Sequence, residues 1–173
     1  MTLEIPPVIR FYIREEPYGF LSNFWRHKQD VNGITYQTNE HYYQSMKTCD
    51  TELRHWIRNA PSAKMAMKIG RLLEPDQIDK DWEYKKVDIM ANGLVSKFND
   101  PNMRLLLAWT GDAKLIEYSP TDMFWGGRLM GSKNMLGKLL MAIRQDHKVT
   151  RSPIHMTNVC NVLTEYRNSL KVE

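Results

Sequence analysis

The chain has no apolar run long enough to cross a bilayer, and its opening segment, Met1 to Arg10, carries Pro6 and Pro7 where a secretory signal would carry an apolar stretch. Neither a span nor a signal is expected, and the predicted location is the cytoplasm. Cysteine is scarce. Cys49 and Cys160 are far apart, and neither sits in a CxxC or CxxH spacing, so no zinc site, no other metal and no disulfide is expected. No G-x-G-x-x-G follows a strand, no Gly-Lys-Ser/Thr loop is present, and no H-E-x-x-H helix occurs, so nothing supports a dinucleotide, nucleoside triphosphate or zinc-protease reading. No cofactor is therefore predicted. Blocks of like charge are missing too: the net charge of +4 is spread among alternating signs, which favours an anionic ligand only slightly.

What is present is ordinary globular material. Apolar residues make up 42% of the 173 residues and charged residues 25%, enough for one continuous core. Val8 to Ile13 reads as a short strand. Asn32-Gly33, between Val31 and Ile34, is a strong hairpin signal and predicts two short strands around it. From Thr38 the pattern turns helical through about Thr48, with Thr38 or Asn39 as the cap. Further helices are predicted at Thr51 to Arg58, Ser62 to Leu72, Trp82 to Asn99 and Pro101 to Trp109. Lys114 to Tyr118 reads as a strand and Asn134 to Asp146 as a helix. The fold class is α+β: a single, mainly helical domain with a few short strands, covering residues 1–147. Residues 148–153 read as a polar linker. The C-terminal part, 148–173, ends in an amphipathic helix expected to pack on the domain through Val159, Val162, Leu163, Tyr166 and Leu170.

In the segment that opens at Thr38, Glu40, Tyr43 or Gln44, and Lys47 recur at spacings that place them on one helix face. The plain explanation is charge capping: a carboxylate near a helix start and a cation near its end both complement the helix dipole. A chemical role gains weight from aromatic residues in the irregular segments. Trp82 follows Lys80-Asp81, and Trp125 lies between Asp122 and two glycines; a flat side chain there can stack on a heterocycle, although core filling is the commoner use of tryptophan. Trp56 and Trp109 read as packing residues. Arg128 to Lys133, leading to a helix that Asn134 can cap, suits a phosphate held by backbone N–H groups and two basic side chains.

Taken in order, these segments resemble the NADAR family. Gly19-Phe20-Leu21-Ser22-Asn23-Phe24 looks like its G-x-x-S-N-F element, and Gly33 to Lys47 like its G-x-x-[YW]-x-T-x-E-H-Y-x-Q-x-x-K element. Ala63 to Arg71 resembles the A-x-x-x-G-R helix. Trp82, Lys97-Phe98, Thr110-Gly111-Asp112, Leu115, Glu117, Asp122, Trp125-Gly126 and Asn134-Met135-Leu136-Gly137 follow in family order, so the likeness runs from about Arg10 to His147. The chain departs after Gly126, where Gly127 to Ser132 is shorter and bulkier than the family's small-residue stretch. The resemblance implies an N-glycosidase acting on a C1′–N bond. Its substrate would be either a ribosylamino-pyrimidine phosphate of riboflavin synthesis or ADP-ribosylated guanine, including guanine in nucleic acid.

On this resemblance Glu40, Lys47 and Asp122 are the expected catalytic residues. Glu40 would serve the positive charge at C1′ or the departing nitrogen, Asp122 would be the second carboxylate, and Lys47 would form a Schiff base if burial lowers its pKa. Asn23, Phe24, Trp82, Trp125, Gly126, Arg128 and Asn134 are the expected substrate-binding residues, and His41 is expected to be structural. The competing expectation is a non-catalytic reader of ADP-ribose or modified nucleic acid using the same residues.

Overall fold

The computed structural model describes residues 4–149 and 156–171. Seven helices and four short strands are seen among them. The chain divides into two compact units, each built from two separate stretches: residues 1–22 with 98–164, and residues 23–97 with 165–173.

In the first unit, strand β1 (Val8–Phe11) pairs in parallel with β4 (Lys114–Glu117), Ile9 opposite Leu115 and Phe11 opposite Glu117. Helix α5 (Pro101–Ala108) starts on Asp100, whose side chain accepts from the N–H groups of Asn102 and Met103, with Pro101 at the first turn where its missing N–H costs nothing. Helix α6 (Met135–Val149) buries the predicted stripe of Leu136, Leu139, Leu140 and Ile143 completely. Arg144 of α6 is buried but fully used: it donates to Thr110 Oγ1 at 2.7 Å and to the Ala113 carbonyl at 2.8 Å, fastening the turn that leads into β4. Helix α6 continues to Val149, two residues into the predicted linker; the remainder of that linker lies outside the described residues. Helix α7 (Thr157–Ser169) begins against Asp146, whose carboxylate accepts from the N–H groups of Asn158 and Val159.

In the second unit, β2 (Gln29–Val31) and β3 (Ile34–Tyr36) form the expected hairpin. Asn32 and Gly33 both have positive φ, 54° and 77°, the geometry that an Asn-Gly turn tolerates. Helix α1 (Asn39–Ser45) is capped by Thr38, which accepts from His41 N–H, and α2 (Thr51–Arg58) by Asp50. Helix α3 (Ala63–Arg71) is capped by Ser62, and α4 runs from Trp82 to Asn99, its last two residues falling in the first unit. Ile57, Ala60 and Ala66 form a small core with Ile69 and Leu73, while α4 contributes the buried Val87, Met90 and Leu94. The end of α7 is tied to α4 by the Tyr166 hydroxyl, which donates to the Glu83 carbonyl, and by an Arg167–Asp88 ion pair.

Two expectations are corrected. Helix α1 stops at Ser45, three residues before the predicted end, because Met46 turns back onto Tyr42 and Gln44 and the Lys47 carbonyl is taken by Asp79 N–H at 2.8 Å. Trp56 and Trp109 are not packing residues; they are 67% and 73% exposed. Ile57, one position and about 100° around α2 from Trp56, takes the core position.

Candidate active site

Glu40 enters the second unit from the first turn of α1 and is 6% exposed. A buried carboxylate needs donors, and Gln44, one turn on, supplies its Nε2 to Glu40 Oε1 at 2.6 Å. The helix start beneath it is fixed by a buried amide network. Glu40 N–H donates to the Asn23 carbonyl at 3.1 Å, and Asn39 Nδ2 donates to Asn23 Oδ1 at 2.9 Å. Gln29 Nε2 bridges Asn39 Oδ1 at 2.9 Å and the Gly93 carbonyl at 3.1 Å. Asn23, expected to bind substrate, therefore also holds the backbone that carries Glu40. Phe24 is half-buried beside it in sequence.

Lys47 lies in the turn after α1, not on its face. Its ammonium points at the Gly70 carbonyl, 3.5 Å away, and stands 5.9 Å from the centre of the Tyr43 ring. Burial holds its pKa below the ordinary lysine value; the Glu40 charge opposes that shift, and the cations of Arg71 and Lys86 add to it. Trp82 is buried and packs on Tyr43 with ring centres 5.1 Å apart. The second unit thus brings together Glu40, Gln44, Lys47, Tyr43, Gly70 and Trp82. His41 is structural, as expected: its ring nitrogens meet Thr38 Oγ1 at 2.8 Å and the Ala60 carbonyl at 3.1 Å, and burial lowers its pKa.

The first unit brings together a different set. Asp122 Oδ1 accepts from Phe124 N–H at 2.9 Å and Trp125 N–H at 2.6 Å, and Ser119 Oγ accepts from Asp122 N–H, so this carboxylate shapes the aromatic loop. Trp125 is half-buried and meets Phe124 edge-on at 4.9 Å. Gly126 has no room for a side chain: a Cβ there would lie 2.4 Å from the Asp122 carbonyl oxygen. Arg128 is exposed and stacks over the Tyr118 ring at 4.9 Å.

The expected cap and phosphate cradle at the start of α6 take another form. Asn134 has a positive φ of 48° and does not cap α6 with its side chain. Its amide donates to the Leu115 carbonyl at 2.9 Å and accepts from Glu117 N–H at 3.2 Å. The N–H groups of Lys133, Asn134, Met135 and Leu136 go to the carbonyls of Met123, Gly126, Phe124 and Trp125. These four donors are thus engaged within the loop.

Sequence reasoning missed Gln29, Ser119 and the Gly93 carbonyl. The Gln29 bonds join it to Asn39 and Gly93, ten and 64 residues away, which spacing cannot show, whereas the Ser119 bond to Asp122 and the Gln44 bond to Glu40 span only three and four residues.

The second unit thus holds a buried carboxylate, Glu40, bonded to Gln44, and a lysine, Lys47, whose charge burial disfavours. The NADAR domain model matches residues 10–147, and the chain belongs to the NADAR family. It is 38% identical over 140 residues to N-glycosidase YbiA of Escherichia coli strain K12, covering 80% of this chain and 87% of that protein. An N-glycosidase of Nostoc punctiforme is 37% identical over 143 residues, covering 80% of this chain and 91% of its own length. A riboflavin biosynthesis protein of Vibrio vulnificus is 37% identical over 141 residues, 80% of this chain but 38% of that protein. The NMR structure of E. coli YbiA superposes with a TM-score of 0.74 at 36% identity, covering 82% of this chain and 85% of that one.

Proposed function

We propose that this chain is an N-glycosidase that hydrolyses the bond between C1′ of a phosphorylated ribose and the nitrogen of a flat heterocycle, with Glu40 as the principal catalytic residue. The observation that carries the reading is the buried Glu40 carboxylate, oriented by Gln44 and neighboured by the desolvated Lys47. As the C1′–N bond breaks, its electron pair leaves with the base and positive charge grows at C1′, which a fixed carboxylate stabilises in a low-dielectric site. The products are the free ribosyl phosphate, carrying the water oxygen at C1′, and the base, carrying the proton.

Lys47 offers a covalent route. Its neutral amine attacks C1′, the base departs with a proton, the sugar ring opens to an iminium, and water releases the sugar to restore the amine. Asp122 is proposed as the second carboxylate, Trp82 and Trp125 as aromatic contacts to the base, and Asn23, Phe24, Gly126, Arg128 and Asn134 as the remaining substrate contacts, in keeping with the family pattern. The substrate is a ribosylamino-pyrimidine phosphate or an ADP-ribosylated guanine; the two share the reacting bond, and the riboflavin name of the Vibrio relative supports the first.

Chromatography of the released base, from each substrate in turn, tests the assignment. Purified protein is expected to turn over at least one of them, and Glu40→Gln to lower the rate by about 10²–10⁴-fold. Turnover retained in that variant overturns the role of Glu40. Borohydride added during turnover is expected to fix the sugar on Lys47, and Lys47→Arg to give no adduct; an unmodified lysine in an active enzyme overturns the covalent route in favour of direct water attack.

A further inference from the structure

Helix α1 has a second side. Tyr42 and Ser45 lie across it from Glu40 and Gln44, since each residue advances about 100° around the axis. On that side is a cavity of about 400 Å³, open to solvent. Ile34 and Tyr36 of β3, Tyr42 of α1, and Arg54, His55 and Arg58 of α2 line it. Arg54 and Arg58, four positions apart, share one face of α2, and His55, three before Arg58, borders it, so that all three reach the cavity wall.

Among the described residues, no carboxylate lines this cavity or forms an ion pair with Arg54, His55 or Arg58. Of the two nearby acids, the Asp50 carboxylate is occupied in capping α2, and Glu52, in the first turn of α2, does not line the cavity. Arg54 donates Nε to the Thr48 carbonyl, which fixes the guanidinium stem, and Arg58 reaches only toward His55 Nδ1 at 3.5 Å. Two planar guanidinium forks and an imidazole without acidic partners favour a phosphate dianion, which takes paired donors. The volume is larger than a phosphate needs. The opposite wall, Ile34, Tyr36 and Tyr42, is apolar and aromatic, with the two tyrosines edge to face at 5.1 Å.

We propose that this cavity is a second ligand site, separate from the Glu40 face, for a phosphomonoester carrying an apolar or aromatic body, of the size of a nucleoside monophosphate. The phosphate lies on Arg54, His55 and Arg58, and the organic body against the Ile34–Tyr36–Tyr42 wall. Free nucleotide and the 5′-phosphate end of an oligonucleotide present the same group, and the proposal commits to the free form.

The test is a titration of the isotope-labelled full chain with AMP, with inorganic phosphate and with a 5′-phosphorylated trinucleotide, followed by amide resonances. AMP is expected to shift the amides of Ile34, Tyr36, Tyr42, Arg54 and Arg58 along a saturating curve, at least tenfold tighter than phosphate and tighter than the trinucleotide. Arg58→Glu, and independently the milder Arg58→Gln, are expected to weaken that curve about tenfold or more while leaving the remaining spectrum in place. Equal affinity for phosphate and AMP overturns the organic body, and tighter trinucleotide binding overturns the free nucleotide. Shifts confined to Glu40, Lys47 and Trp82, or unchanged in both Arg58 variants, overturn the site.

Discussion

Glu40 and Gln44 share a short bond in a largely buried place, and the consequence can be measured separately from folding. Gln44→Leu keeps the volume and removes the donor, leaving a buried carboxylate short of a partner, a loss of roughly 1–3 kcal/mol. Under the proposed role of Glu40, Gln44 acts as a positioning residue. The variant is expected to lower kcat about tenfold or more with a smaller change in KM, in steady-state assays on the substrate that wild type accepts. A fall in thermal stability with kcat unchanged would show that the bond only supports the fold. Glu40, Lys47 and Trp82 were legible as candidates because residue type and order carry them. The direction of the Lys47 pKa was not, because the burial that sets it, with Arg71 and Lys86 adding to it and Glu40 opposing, arises only in the folded chain.

Helix α4 presses on the start of α1 at Gly93. A Cβ there would lie 2.0 Å from Asn39 Oδ1 and 2.6 Å from Tyr42 Cδ1. Gly→Ala inside a helix normally stabilises by about 0.5–1 kcal/mol, while overpacking of this kind costs about 1–3 kcal/mol, so the clash wins. Gly93→Ala is expected to shift the urea midpoint down and to reduce activity with it, because the displaced Asn39 belongs to the network that holds Glu40. An upward shift would mean that α4 simply moves away.

The same scale shows where sequence runs out. The bounds of α2 agree with its Asp50 cap, those of α4 with its apolar period, and the hairpin follows from Asn32-Gly33. The end of α1 does not, since Met46 and Lys47 are good helix formers, and a backbone bond from Asp79 decides it. Asn134 was misread for the same reason: its amide serves β4, nineteen residues back at Leu115 and seventeen at Glu117.

At the scale of the whole molecule, a fully buried lysine contributes to how stability responds to pH. Lys97 is 1% exposed, and burial lowers its pKa from 10.5 to about 7. Between pH 7 and 10.5 the unfolded chain carries the proton and the folded chain has shed it, so this group makes stability rise with pH across that window, by at most about 1.4 kcal/mol per unit. Below pH 7 both states are protonated and the contribution stays at its lowest. Lys97→Met is expected to flatten the rise in urea midpoint between pH 7 and 9 relative to wild type. Parallel profiles would show that Lys97 keeps its charge when folded.

The loop from Met123 to Leu136 closes on itself almost entirely through main-chain bonds, supplemented by Asp122 and Asn134. Its course is thus nearly independent of the side chains at its tip, where Leu129 and Met130 face solvent. Evolution can rewrite those side chains without refolding the loop, and mutagenesis can do the same. The tip is a place to exchange residues freely while the loop keeps how it is built.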